Sequence, residues 1–396
     1  MRKSFRWLSA IILVALNLRP AVASVPPLAD TISGEFRLSA AALGLLTTLP
    51  VLCMGLFAPV GAVAARRFGT DRVLAGSVAL IAVGTALRAV PALWMLYAAT
   101  ALTGVGLAVA GALLPPLVRA RFPDRVGPVT GLYTTGLIGG ALLAASLTVP
   151  LRGGLGVGWR FALGLWAVPA LLALLVWLTV SRPTSFASPD APPDAPPDDA
   201  PDAPVVSAPV PWRSRRAWYA TFFMGGQSLL YYASFAWLAA RYTALGSSTS
   251  QAGLLLGLFS ATQLISALGM PLLAHRFGDP RPWIAASLSL TGGSLVLVAF
   301  APNGAPWLWA SLLGLGMGGQ FALALTVLSG LGNTPAESAA ATGMALLVGY
   351  LLAAAGPVLA GTLRDATGGY TAPFAALALV SVPVLAAGVA SARPKR

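Results

Sequence analysis

Runs of predominantly apolar residues recur along the whole chain, each long enough to cross a hydrocarbon core of about 30 Å as a helix. Short polar turns that carry most of the charge separate them. Twelve such spans are predicted. The first six are Trp7 to Leu28, Ala40 to Ala64, Val73 to Val90, Ala92 to Val118, Val129 to Leu151 and Trp159 to Val180. The second six are Trp218 to Ala240, Gln251 to Ala274, Trp283 to Ala301, Trp307 to Leu331, Thr342 to Thr362 and Pro373 to Ala392. The first is too long for a signal peptide and lacks a cleavage site.

Between the sixth and seventh spans the pattern stops. Pro and Asp nearly alternate from 188 to 202, a composition that cannot bury a core, so 182–216 reads as an extended cytoplasmic tether. It divides the chain into residues 1–181 and 217–396. The two parts repeat each other: Arg67, Phe68 and Gly69 recur as Arg276, Phe277 and Gly278, and Gly44-Leu45-Leu46 as Gly253-Leu254-Leu255, at an offset of 209. Gly104-Val105-Gly106 likewise matches Gly314-Leu315-Gly316, and Thr130-Gly131 matches Thr342-Gly343. A duplicated six-helix unit accounts for these pairs.

Composition settles the class. The 396 residues are 57% hydrophobic and 9% charged, with mean hydropathy +0.79, which places the chain among integral membrane proteins. The net charge of +13 is mainly a topology signal. Taking the N-terminus as cytoplasmic, inner segments hold Arg2, Lys3, Arg6, Arg66, Arg67, Arg72, Arg119, Arg121, Arg125, Arg182, Arg213, Arg215, Arg216, Arg276, Arg281, Arg393, Lys395 and Arg396. The outer edges carry only Arg37, Arg88, Arg152, Arg160, Arg241 and Arg364, expected to snorkel toward headgroups or to steer anions to the outer mouth. This bias predicts a multi-pass protein of the cytoplasmic membrane with both termini inside. The basic residues form no continuous surface, which argues against nucleic-acid binding. Cys53, the one cysteine, lies within a span and excludes an internal disulfide.

Twelve spans, a central linker and a basic turn after spans two and eight resemble the major facilitator superfamily, over essentially the whole chain. The resemblance implies an all-α membrane protein of two pseudo-symmetric six-helix bundles, working by alternating access as a functional monomer in the lipid bilayer. The family's turn, G-x-x-x-D-R-x-G, is matched by Arg67 and Gly69 and by Arg276 and Gly278, while Ala62 or Pro271 and Arg66 or His275 stand at its first Gly and its acidic position. Arg67, Gly69, Asp71, Arg72, Arg276, Gly278 and Asp279 are therefore the candidates for gating. Asn17-Leu18-Arg19-Pro20 followed by Ser24-Val25-Pro26-Pro27-Leu28, and Val118-Arg119-Ala120-Arg121-Phe122-Pro123 entering Thr130-Gly131-Leu132-Tyr133, are similar to the branch named for cyanate and nitroimidazole transport. Gly136-Leu137-Ile138-Gly139-Gly140 lacks the proline of the drug-proton antiporter signature in span five.

Arg19 is the most informative residue. It stands about twelve residues into the first span, and no Asp or Glu falls inside any span, so an arginine costing roughly 2.5–3.5 kcal/mol at midplane needs a partner from elsewhere. A small anion fits its planar five-donor fork. The competing structural reading is a guanidinium satisfied by backbone carbonyls that Pro20, Pro26 and Pro27 release. Asn17, roughly 200° away around a helix, is expected to brace a neighbouring helix. In the family, spans one, four, seven and ten line the cavity. Gln227, Tyr231 and Ser234 form a polar stripe on span seven, either a cavity wall or a seam between helices. Gln320 in span ten, Gln263, Tyr350, Tyr133 and Thr134 complete a neutral hydrogen-bonding set around one fixed positive charge.

Two function classes compete. The first is a secondary transporter of a small anion such as cyanate, nitrite or a small carboxylate, with Arg19 as anchor; the second is efflux of neutral or cationic drug-like or nitro-aromatic compounds over Trp237, Tyr231 and Tyr232. Inward movement of a monoanion against an inside-negative potential costs about 2.3 kcal/mol per 100 mV, so uptake needs a compensating flux. No span offers a carboxylate or histidine as proton relay, which leaves anion exchange, a proton carried by substrate or water, or downhill efflux. His275, on a cytoplasmic turn, reads as a basic loop residue. An enzyme is not expected: the sequence has no metal cluster, no nucleophile beside a base and no nucleotide loop, and it implies neither metal nor cofactor.

Overall fold

The computed structural model describes residues 2–181, 209–332 and 334–392, and every regular element among them is helical. The tether up to residue 208, Arg182, Arg393, Lys395, Arg396 and the side chains of Arg2, Lys3 and His275 lie outside the described residues. Spans two to five are the helices Ala40–Phe68, Thr70–Leu87, Leu93–Arg121 and Val126–Leu155. Span six is Trp159–Gly164 followed by Ala167–Val180. The second half runs Arg215–Thr243, Thr249–Phe277, Arg281–Phe300, Pro306–Ser329, Pro335–Thr367 and Thr371–Ser391. Helices start where a hydroxyl satisfies a free N–H: Ser39 accepts from Ala42, Ser214 from Ala217 and Thr334 from Glu337, while Ser248 and Gln251 form a reciprocal capping box.

Eleven described helices are long and apolar enough to cross a membrane. The twelfth, Arg215–Thr243, has 29 residues but carries four Tyr, two Trp, two Ser, Gln227 and three Arg. It is buried by protein along nearly its whole length, so it needs little lipid-compatible surface.

Close approaches between helices repeat at the offset seen in the sequence. A methyl on Gly104 would stand 2.8 Å from Pro50 Cα, and Gly314 stands against the Phe259 carbonyl, Pro50 and Phe259 being 209 residues apart. Gly106 lies against the Ser77 carbonyl and Gly316 against that of Ser287. These glycines let helices two, three and four, and their counterparts eight, nine and ten, touch backbone to backbone.

Contact between the bundles is one-sided. At the predicted outer end, Asp365 accepts from the Ala40 and Ala41 N–H groups at 2.9 Å each, Thr243 donates to Asp30, and Thr48 donates to the Ala354 carbonyl at 2.7 Å. The related glycines Gly44 and Gly253 sit in this seam, against the Pro357 and Ala145 carbonyls. One apolar core joins the outer half of the first bundle to the second bundle along its length, whereas the inner half of the first bundle has its own, from Ala10 to Trp177.

The first span departs from its predicted shape. It is a helix Arg2–Leu16, a break at 17–19, a turn Pro20–Ala23, a tight turn Pro26–Leu28 and a helix Ala29–Phe36. The extension past Leu28 adds Asp30 and Glu35 at the outer end. Pro20 cannot donate to Leu16, and Pro26 cannot donate to Val22, so Val25 N–H bonds Val22 at 3.4 Å and the Ala21 carbonyl is left over. Gly136 and Gly140 of span five pack on the Ile12 and Leu16 carbonyls, which is the use the fold makes of that glycine-rich stretch.

Candidate substrate site

The break in span one carries Arg19 into the space between the bundles. Its Nη1 donates to the Tyr231 hydroxyl at 3.1 Å, its only hydrogen bond among the described residues. The guanidinium carbon lies 5.2 Å from the Tyr231 ring centroid and 5.6 Å from that of Tyr232, cation–π contacts worth about 0.5–2 kcal/mol each. Three neutral phenols, Tyr231, Tyr232 and Tyr350, surround it, and no carboxylate among the described residues pairs with it. Arg19 is partly exposed, so its remaining N–H groups are open to a ligand.

Freed carbonyls do not cap Arg19. The Ala21 carbonyl accepts instead from Nη1 of Arg88, a residue expected to snorkel and found at 0% exposure. Arg241 departs from the snorkelling expectation in the same way: it is buried and donates to the Val298 and Ala299 carbonyls at 3.4 and 3.0 Å. Both sit where a neighbouring helix end offers unpaired carbonyls, and those compete successfully with the headgroup region. Arg160 pairs with Glu35, Arg364 with Asp365 at 3.3 Å, and Arg152 reaches Thr31 at 3.5 Å.

Four more predicted site residues gather near Arg19. Tyr231 is joined by Gln263, within hydrogen-bonding reach of its hydroxyl. Tyr350 neighbours Arg19, Tyr232 and Tyr133. Two glutamines are engaged elsewhere. Gln227 turns back on its own helix, donating to the Met224 carbonyl at 3.1 Å and to Ser228 Oγ at 2.7 Å. Gln320, fully buried, ties span ten to span nine through Thr291 Oγ1 at 2.8 Å and the Ser287 carbonyl at 3.2 Å. Ser234 is buried, its hydroxyl without a hydrogen-bond partner among the described residues. Asn17 braces span six, donating to the Pro169 carbonyl at 3.1 Å.

Sequence reasoning placed Tyr232 only in the rival aromatic surface and missed Phe235 and Phe259, which stack with Tyr231 at 5.6 and 6.0 Å. Trp237 leaves that surface: its indole donates to the Pro357 carbonyl at 2.9 Å. The gating candidates lie far from these aromatics, at the predicted inner end. Gly69 and Gly278 end spans two and eight with φ of +83° and +72°, a backbone that disfavours side chains. Asp71 pairs with Arg121 at 3.0 Å, and its carbonyl accepts from Trp177. Arg67 lies over Phe68, and Arg72 and Arg276 are exposed. Asp279 pairs with Arg281 at 2.8 Å, and that bonding holds its carboxyl below the usual carboxylate range.

Two related helical bundles that meet at one end around a central cationic and aromatic site define a multi-pass secondary transporter. The chain belongs to the major facilitator superfamily, whose profile matches residues 10–244. It is 35% identical to the 2-nitroimidazole transporter of Escherichia coli (strain K12) over 388 residues, 98% of this chain and 95% of that one. It is 32% identical to the cyanate transport protein CynX of the same strain over 379 residues, 96% of this chain and 95% of the relative. Among solved structures, the nucleoside transporter NupG superposes with TM-score 0.75 at 15% identity, covering 98% of this chain and 100% of that one.

Proposed function

We propose that this protein moves a small anion, of cyanate, nitrite or small-carboxylate type, across the cytoplasmic membrane by alternating access, with Arg19 as its anchor. The observation that carries the reading is a partly exposed guanidinium between the bundles, bonded among the described residues to a single neutral phenol and to no acid. A bound anion completes the pair, and Tyr231, Tyr232, Tyr350 and Gln263 supply neutral donors beside it. Residues 1–181 and 217–396 move as two bodies linked by 182–216. With both termini cytoplasmic, the closed seam at Asp365 faces outward and the site opens inward. Closure on the other side brings the basic turns at Gly69 and Gly278 toward the opposite bundle. A thermal-shift screen of cyanate, nitrite, bicarbonate and formate on wild type and Arg19→Ala tests the assignment, because a ligand of the native state raises its apparent stability. The expected result is a hit that the substitution removes; a hit of equal size in both proteins contradicts the anchor.

A second reading, efflux of nitro-aromatic or other drug-like compounds, draws support from the stacked Tyr231, Phe235 and Phe259 and from the name of the 2-nitroimidazole relative. Competition separates the two. Small anions displace the substrate in the first and leave it bound in the second.

A further inference from the structure

Arg88 is fully buried, and the helix break uses only one of its nitrogens. Nε and Nη2 have no hydrogen-bond partner among the described residues. These two nitrogens present parallel N–H groups along one edge of the guanidinium, the edge that grips an anion at two points. None of the ion pairs among the described residues supplies Arg88 with a carboxylate.

Two hydroxyls in the same region are also buried without a partner, Thr85 Oγ1 and Ser24 Oγ. Thr85 precedes Arg88 by three residues, and Ser24 follows Ala21, the residue Arg88 grips, by three. The set therefore holds four donor groups and no acid.

Arg241 shows how this fold fills the same edge with protein. Its Nε and Nη2 donate to the Val298 and Ala299 carbonyls, and Nη2 also reaches Thr371 Oγ1 at 3.5 Å. Span nine, which supplies those carbonyls, is the repeat counterpart of span three, which carries Arg88. At Arg88 the corresponding edge is not closed by the chain.

We propose that the Nε and Nη2 edge of Arg88, with the hydroxyls of Ser24 and Thr85, binds one small monovalent anion of chloride size, held as a structural ion and separate from the transport site. Donors without acceptors select an anion over a cation, and complete enclosure selects a small, dehydrated one. Bound there, the ion neutralises the guanidinium that clamps Ala21, two residues after Arg19, and so stiffens the bent segment that presents the transport arginine.

The test uses purified full-length protein in gluconate buffer of fixed ionic strength, with chloride or bromide replacing gluconate stepwise. A saturable rise in Tm of several degrees is expected in wild type and equally in Arg19→Ala, and its loss in Arg88→Met. A Tm that ignores halide, as for a site that takes only water, overturns the proposal. So does a response retained in Arg88→Met or abolished by Arg19→Ala alone, the latter assigning the halide to the transport site. Crystals of the wild-type protein grown in bromide decide the matter even where Arg88→Met fails to fold: an anomalous peak against the Arg88 guanidinium is expected, and its absence contradicts the site.

Discussion

Removing one oxygen from Tyr231 isolates what a hydrogen bond does for Arg19. Tyr231→Phe keeps the ring under the guanidinium and deletes the 3.1 Å bond that orients it. A hydrogen bond to a charged group contributes about 1.5–3 kcal/mol, so anion affinity should fall about tenfold or more in a binding titration, with Tm little changed. Gln320→Leu should do the reverse. It breaks the Thr291 and Ser287 bonds inside a helix seam, so Tm drops while the transport KM stays near wild type. Arg19 was legible in the sequence because a midplane cation without any acid in the spans has few chemical uses. Arg88 was not: whether an arginine near a span end snorkels or turns inward depends on a carbonyl freed in another helix, which no local pattern shows. Tyr232 was hard to place for a related reason. Adjacent residues on a helix point about 100° apart, and only the central position of span seven brings both rings to one cation.

Elements decide where the molecule can open. Gly44 and Gly253 lie in the seam between bundles, and a Cβ at Gly44 would stand 2.7 Å from the Pro357 carbonyl. Gly44→Val should therefore pry the outer seam apart. With Cys53→Ala as background and a single cysteine placed at the outer end of span two, faster labelling by a membrane-impermeant thiol reagent and slower transport are expected; unchanged labelling would count against the seam. The repeat made these glycines visible in the sequence as an offset. Their purpose was not visible, since Gly44 serves contact between bundles while Gly104 serves contact within one. The broken first span was half legible. Pro20, Pro26 and Pro27 announced released carbonyls, but the sequence did not say which arginine would take them.

For the whole molecule, the twelve-helix count and the duplication could be read from hydropathy and spacing, even for span seven, whose burial in protein relaxes the demand for apolar residues. Which end is closed could not, because both ends carry similar turns. Proton dependence also belongs at this scale. The Asp279 carboxyl is depressed by Arg281, so its contribution is complete above the unfolded carboxylate pKa of about 3.9 and is lost only as pH falls through the still lower folded value. Between about pH 5 and 8 that pair does not titrate. Asp279→Asn should leave the shape of the transport pH profile unaltered, and any slope in that range then belongs to the substrate or its counter-flux.

The central claim is a cargo anion paired with Arg19, and counterflow of labelled cyanate or nitrite in proteoliposomes tests it most directly. Wild type should exchange label with an internal anion, Arg19→Ala should fall to the rate of empty vesicles, and Arg19→Lys should retain a small fraction, since a point charge lacks the two-point fork. Arg19→Ala protein that is folded, inserted and exchanging at the wild-type rate would contradict the account.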